Sequence, residues 1–247
     1  MKIIYEDNEK IIVYKPAGKL TQGNRSFDVD LTSEVMTYRR KKGEEPYAAV
    51  INRLDRPVSG LVLFAKNKPA AAKLSAQLQK KMFCKQYEAL ICGKLTEESG
   101  TFVDYLRKDP VSNLSSVVDV QKNQEENQQT KDDLIGKNDC KRAELHYQTK
   151  KVYEDANGRI FTLVAIELIT GRHHQIRAQF SSRDLPLFGD VKYGGLPSES
   201  LQLKELIDES DDKRMEIRVR IKRSEIALCS VSLTVDGDTY RCNPEWM

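Results

Sequence analysis

The stretch Asn52-Arg53-Leu54-Asp55-Arg56-Pro57-Val58-Ser59-Gly60-Leu61 runs directly into Val62-Leu63-Phe64-Ala65. The apolar end reads as a buried β-strand, and the small-residue turn before it leads a polar loop into that strand. Within the loop a single carboxylate, Asp55, lies between two guanidinium groups. Positive charge on both sides favours the ionised carboxylate, which suits a nucleophile or an electrostatic stabiliser better than an acid. Taken alone, Arg-x-Asp-Arg reads equally as a surface ion pair at a strand edge, a common and weak interaction.

Working outward, Lys2–Tyr5 and Ile11–Tyr14 read as two short strands about a turn, ended by Lys15-Pro16-Ala17-Gly18. Leu31, Val35 and Tyr38 fall at helical spacing, with Gly43 as a stop. Asn67 before Pro69, with Leu74, Leu78 and Met82, predicts a capped amphipathic helix. Tyr87–Gly93, Ala143–Tyr153 and Ile160–Ile169 read as strands, the last apolar on both faces. Ser198–Ile207 reads as a short helix. Ile217, Val219 and Ile221 alternate with charged residues, and Ala227 to Val235 continues with period two. Asp236-Gly237 then forms a hairpin turn. Strands outnumber helices and do not alternate with them, so the expected class is α+β: a largely antiparallel, mixed sheet with flanking helices and loops. Residues 112–139 are rich in Asn, Gln, Lys and acids and read as a polar, exposed insertion with the composition of a disordered loop.

The chain has 247 residues, 39% hydrophobic and 31% charged, enough for a sizeable core in one domain. No apolar run approaches the roughly 20 residues of a membrane span. Met1–Asp7 lacks the apolar core of an export signal. Five scattered cysteines without a Cys-x-x-Cys pair point to reduced thiols and a cytoplasmic setting. The three histidines have no metal-ligand spacing, so no metal is expected. Net charge is only +3. It hides basic clusters at Arg39–Lys42, Lys80-Lys81 and Arg218–Arg223 that read either as solvated faces or as a phosphate-binding surface.

Three further stretches carry chemistry. Lys15-Pro16-Ala17-Gly18 sets a cation beside a rigid turn. Thr170-Gly171-Arg172-His173-His174-Gln175-Ile176-Arg177 follows a buried strand. It fits acid–base work, a phosphate clamp or a polar strand-to-helix loop. Phe188-Gly189-Asp190-Val191-Lys192-Tyr193-Gly194-Gly195 lacks the ending of a nucleotide-binding loop and reads as a structural turn.

In this order the stretches resemble the RluA family of RNA pseudouridine synthases, from Asp7 through Pro244. Arg53-Leu54-Asp55-Arg56 with Ser59-Gly60-Leu61 is similar to the family's catalytic motif. Lys85-Gln86-Tyr87-Glu88-Ala89-Leu90 is similar to its tyrosine motif. Gly171–Arg177 and Gly189–Gly194 are similar to two further signatures. The resemblance implies a single catalytic domain over 1–247, in which uridine in ribosomal or transfer RNA is isomerised to pseudouridine. It makes Asp55 the catalytic carboxylate, Arg177 its pairing partner and Tyr87 the residue on the target base. Arg53, Arg172 and Lys15 are the implied RNA contacts. Neither cofactor nor metal is implied, and a monomer is the default. The chain begins at the catalytic domain, so RNA is expected to be held by that domain's own basic surface.

Asn52 stands where the family usually has His, His173 where Thr or Ser is common, and Val58 in place of Thr. Gln179 and Cys229 replace frequent histidines. A non-catalytic RNA-binding or ribosome-assembly protein on the same fold is the competing reading. A glycosidase would need a second acid, and none stands near the motifs.

Overall fold

The structure is a computed structural model, and it describes residues 1–23, 29–118, 140–206, 215–223 and 225–247. The chain groups into two compact units. The first comprises residues 1–88 and 222–247, and the second 89–221.

In the first unit, β1 (Lys2–Glu6) and β2 (Lys10–Lys15) form an antiparallel pair, and β2 continues antiparallel onto β4 (Ser59–Ala65). Every residue of β2 and β4 is buried, as the continuous apolar runs predict. The short β3 (Ala49–Val50) pairs with β4. β12 (Leu228–Val235) lies parallel to β4 and turns through Asp236-Gly237 into β13 (Asp238–Arg241). Both turn residues have positive φ, 54° and 86°, which matches the twist of a tight hairpin.

Helix α1 (Leu31–Lys41) begins at Asp30, whose carboxylate accepts the Ser33 N–H at 2.7 Å. Helix α2 (Lys68–Gln79) begins at Asn67, which accepts the Ala70 N–H at 2.9 Å. Leu31, Val35, Ala70 and Leu74 are buried on the helices' inner faces. Ala70 and Leu74 pack with Ile12, Leu61, Leu63 and Leu233. Met82, expected on the α2 face, lies beyond the helix end and is exposed.

The basic run in α1 is partly consumed by internal ion pairs. Arg39 is buried and donates to Glu44 and to the carbonyls of Tyr47 and Lys66. Lys42 and Lys66 both reach Glu6. Here Arg39 and Lys42 close a local network, which removes them from the expected phosphate surface.

The chain passes between units within β5 (Cys84–Cys92). In the second unit, β8 (Lys141–Asp155) is the spine. It pairs antiparallel with β9 (Ile160–Leu168), with β6 (Ser99–Lys108) along its first half and with β10 (Ser200–Glu205) at its end. β7 (Ser115–Val118) returns antiparallel on β6, and β11 (Glu216–Arg220) on β10. Helix α3 (Gln175–Ser181) is buried over most of its length. Phe102, Tyr147 and Phe180 form an aromatic cluster with centroids 4.7–6.3 Å apart.

Two expectations are corrected. Ser198–Ile207 is not a helix: Ser200–Glu205 is β10, with Leu201 and Leu203 buried and Gln202 and Lys204 exposed. Sheet pairing to β8 and β11 reads the period-two pattern over the helical one. The expected insertion at 112–139 starts too early, because Ser115–Val118 is a strand. Residues 119–139 lie outside the described residues. The architecture, thirteen strands and three α-helices among the described residues, is the expected α+β class.

One glycine holds the first unit's sheet together. Gly60 has φ 122°, and a Cβ there would lie 2.4 Å from the Ser230 carbonyl oxygen. Only a residue without a side chain lets β4 and β12 approach this closely. Gly60→Ala is expected to cost more than about 2 kcal/mol of unfolding free energy, read by urea denaturation.

Candidate active site

Asp55 sits in the loop between β3 and β4, and three local devices shape that loop. Asn52 donates from Nδ2 to the Leu61 carbonyl at 3.2 Å and accepts the Leu63 N–H on Oδ1 at 2.7 Å. Its amide thereby does a structural task at a position where the resemblance leads one to expect an imidazole. Thr21 Oγ1 accepts the Leu54 N–H at 3.2 Å and donates to the Leu54 carbonyl at 2.9 Å. The Arg56 carbonyl accepts from the Gly18 N–H at 2.8 Å and from Lys15 Nζ at 3.2 Å. Arg56 Nε returns a bond to the Gly18 carbonyl at 2.9 Å.

Lys15 was expected to contact phosphate. Its side chain has no exposed area, and its ammonium donates to the carbonyls of Pro16, Lys19 and Arg56 at 3.2, 2.7 and 3.2 Å. It holds the loop from within instead of facing solvent. Burial pulls its pKa down to about 7, and the negative charge of Asp55 opposes that fall.

Asp55 itself is half-buried, and Arg53 and Arg56 are exposed on either side. Tyr87, on β5, is buried. Burial pushes its phenol up to about 12, and Asp55's charge pushes the same way, while a hydrogen bond with Ser230 opposes both. Tyr87 therefore keeps its proton at neutral pH. Asp55, Tyr87 and Lys15 thus share one electrostatic neighbourhood in the first unit.

Arg177 belongs to the second unit, on α3. Its Nε and Nη2 donate to the two oxygens of Asp190 at 2.6 and 2.8 Å, and both residues are buried. A two-point fork of this kind fixes a guanidinium in position and direction. The ring of Tyr193 lies 4.8 Å from the guanidinium carbon. Gly195 closes the turn: a Cβ there would meet the Leu187 carbonyl oxygen at 2.2 Å.

The loop ahead of α3 is tied by Gln175. Its Oε1 accepts from Thr170 Oγ1 at 2.8 Å and from the Arg172 N–H at 3.0 Å, and its Nε2 donates to the Glu144 carbonyl. Arg172 is exposed, with Nε donating to the Arg142 carbonyl at 2.9 Å. His173 and His174 stack at 3.8 Å.

Sequence reasoning did not single out Thr21, Ser230, Asp190 or Tyr193. A lone carboxylate in the glycine-rich stretch Gly189–Gly195 was the available signal for Asp190, and a structural-turn reading passes over it. Ser230 carries no signal of its own. Among the described residues no three His, Cys, Asp or Glu side chains cluster as metal ligands, and no helix is long and apolar enough to cross a membrane. None of the five cysteines forms a disulfide among the described residues.

Residues 9–182 match the protein family described as RNA pseudouridylate synthase. The uncharacterized RNA pseudouridine synthase YhcT of Bacillus subtilis is 33% identical over 196 residues, covering 79% of this chain and 58% of that protein. Ribosomal large subunit pseudouridine synthase D of Pasteurella multocida is 30% identical over 201 residues, covering 80% and 54%. The chain spans little more than half the length of these curated relatives. In fold it is similar to human RNA Pseudouridylate Synthase Domain Containing 4, with a TM-score of 0.66 at 17% identity over 99% of this chain and 89% of that one. Human RNA Pseudouridylate Synthase Domain Containing 1 gives 0.65 at 19% over 99% and 83%. With the family match running from β2 through α3 and the same architecture in these neighbours, the chain belongs to the RNA pseudouridylate synthase family.

Proposed function

We propose that this chain isomerises uridine within RNA to pseudouridine. The observation that carries the reading is the half-buried carboxylate of Asp55, on a loop held by backbone contacts, whose charge reaches the buried, protonated phenol of Tyr87. The reaction breaks the N-glycosidic bond, turns the uracil and joins its carbon to the same ribose carbon. It is redox-neutral and internal to the substrate, so we assign it no cofactor.

Asp55 is the carboxylate that acts on the ribose or the uracil ring. Tyr87 packs on the target base and offers an O–H, not a phenolate, at neutral pH. Arg177 is assigned to pairing with Asp55, as the family resemblance implies, and its fork to Asp190 supports a role that needs a fixed direction. Exposed Arg53 faces the RNA and fills the space a flipped base leaves. Arg172 contacts phosphate. Lys15, buried and carbonyl-bound, passes from RNA contact to positioning of the Asp55 loop.

We assign residues 1–247 to one catalytic domain, acting as a monomer in the cytoplasm. Large-subunit ribosomal RNA is the first substrate to test, because relatives are named for the ribosomal large subunit. Transfer RNA is the alternative.

Asp55→Asn is expected to abolish pseudouridine formation on ribosomal or transfer RNA lacking modification, read by chemical labelling or mass spectrometry. Equal activity in both proteins would remove Asp55 as the catalyst.

Arg177→Ala is expected to abolish turnover while retaining most RNA affinity. Because it strands the buried Asp190, a stability loss of about 3–5 kcal/mol is expected as well, so turnover is read per folded molecule. A variant that loses affinity and keeps turnover makes Arg177 a phosphate contact.

Lys15 also has a pH signature. In the unfolded chain its pKa is about 10.4, against about 7 when folded. Below pH 7 both states are protonated and the cost of burial is complete. From pH 7 towards 10 only the unfolded chain keeps the proton, so this group's contribution to stability rises across that window. Thermal midpoints measured from pH 6.5 to 9.5 are expected to shift upward relative to Lys15→Met, and a constant difference between the two proteins would refute the assignment.

A further inference from the structure

We propose that the loop 171–174 and the β6–β7 hairpin form one RNA-docking surface in the second unit. Lys108, Arg172 and Lys192 take phosphates there, and the stacked rings of His173 and His174 take an unstacked base. The inference rests on the pseudouridine synthase reading and names how its RNA is held.

The two segments are fastened together by a short chain of polar contacts. Ser115, the first residue of β7, places Oγ 3.0 Å from His173 Nδ1. Its backbone N–H donates to Tyr193 Oη at 2.8 Å. Tyr193 Oη lies 2.9 Å from His174 Nδ1. Burial, together with the neighbouring charges of Arg177, Lys192 and Lys108, pulls His174 down to about 3, so it stays neutral in the stack.

The imidazole rings lie 3.8 Å apart at 25°, and His174 takes φ 52° to place its ring there. Two half-buried, stacked rings suit a nucleobase, because recognition of unpaired RNA relies on stacking against flat side chains.

The cations are set around these rings by their neighbours in the chain. Lys108 is the register partner of Ser115, Arg172 precedes His173, and Lys192 precedes Tyr193. Some cations elsewhere in this unit are paired, Arg142 with Glu144, Lys151 with Glu205, Arg159 with Asp155 and Arg183 with Asp104. Among the described residues Lys108, Arg172 and Lys192 have no such carboxylate, and all three are exposed. Three exposed, unneutralised cations around a stacking pair match the charge and shape of single-stranded RNA. The hairpin tip beyond them is built as well: Asp109 accepts the Val111 N–H and the Ser112 hydroxyl.

The test measures binding of the full chain to a labelled, unmodified large-subunit ribosomal RNA transcript across salt concentrations, with turnover alongside. Lys108→Ala/Lys192→Ala is expected to weaken binding and to flatten the slope of log affinity against log salt by about 1.4–1.8. His173→Ala is expected to weaken binding roughly tenfold with the slope unchanged. In both, the loss is read as a rise in KM alongside the fall in affinity. Wild-type affinity and slope in both variants would overturn the docking surface. A wild-type protein that binds the transcript and converts no uridine overturns the enzymatic reading alone.

Discussion

The approach of β4 to β12 at Gly60 and Ser230 is the constraint on which the first unit depends. The two strands are parallel, and Gly60 faces Ser230 so closely that no side chain fits between them. The consequence is chemical as well as architectural. Gly60 lies at the start of the strand that follows the Asp55 loop. Ser230 is the group that draws the Tyr87 phenol's pKa back down against burial. One backbone contact therefore sets both the carboxylate loop and the phenol's partner.

The loop is then pinned by groups that a motif does not advertise. Asn52 bridges to β4, Thr21 clasps Leu54, and the Arg56 carbonyl accepts both Lys15 and Gly18. The bonds run to backbone atoms, so they fix the path of the chain on either side of Asp55. In the second unit the same division recurs. Asp190 holds Arg177, Gln175 holds the loop before it, and Tyr193 ties that loop to β7.

Much of this was legible in advance. The spacing of Leu31 and Val35, the Asn67 cap with Pro69, the apolar run of β4 and the Asp236-Gly237 turn each gave the right element, because local physics and tertiary packing agree there. Ser198–Ile207 failed because Leu203, Leu206 and Ile207 fall at helical spacing while Leu201 and Leu203 alternate with polar residues, and only pairing partners decide between the two periods. Met82 failed because α2 stops before it. Lys15 failed for a general reason: a lysine beside Pro-Ala-Gly reads as exposed, since burying an ammonium is costly without acceptors.

The amino-acid sequence by itself determined the α+β class, the order of the motifs and the identity of Asp55, Tyr87 and Arg177 as the residues to watch. The class is a property of periodicity, while the roles of the three residues are what the resemblance of the motifs to a known family implies. Tertiary structure decided the partners: Ser230 for Tyr87, three carbonyls for Lys15, Asp190 for Arg177, and Ser115 for His173. Each pair is far apart in the chain or depends on backbone atoms that every residue carries. Such contacts arise only when strands and loops are brought together in space.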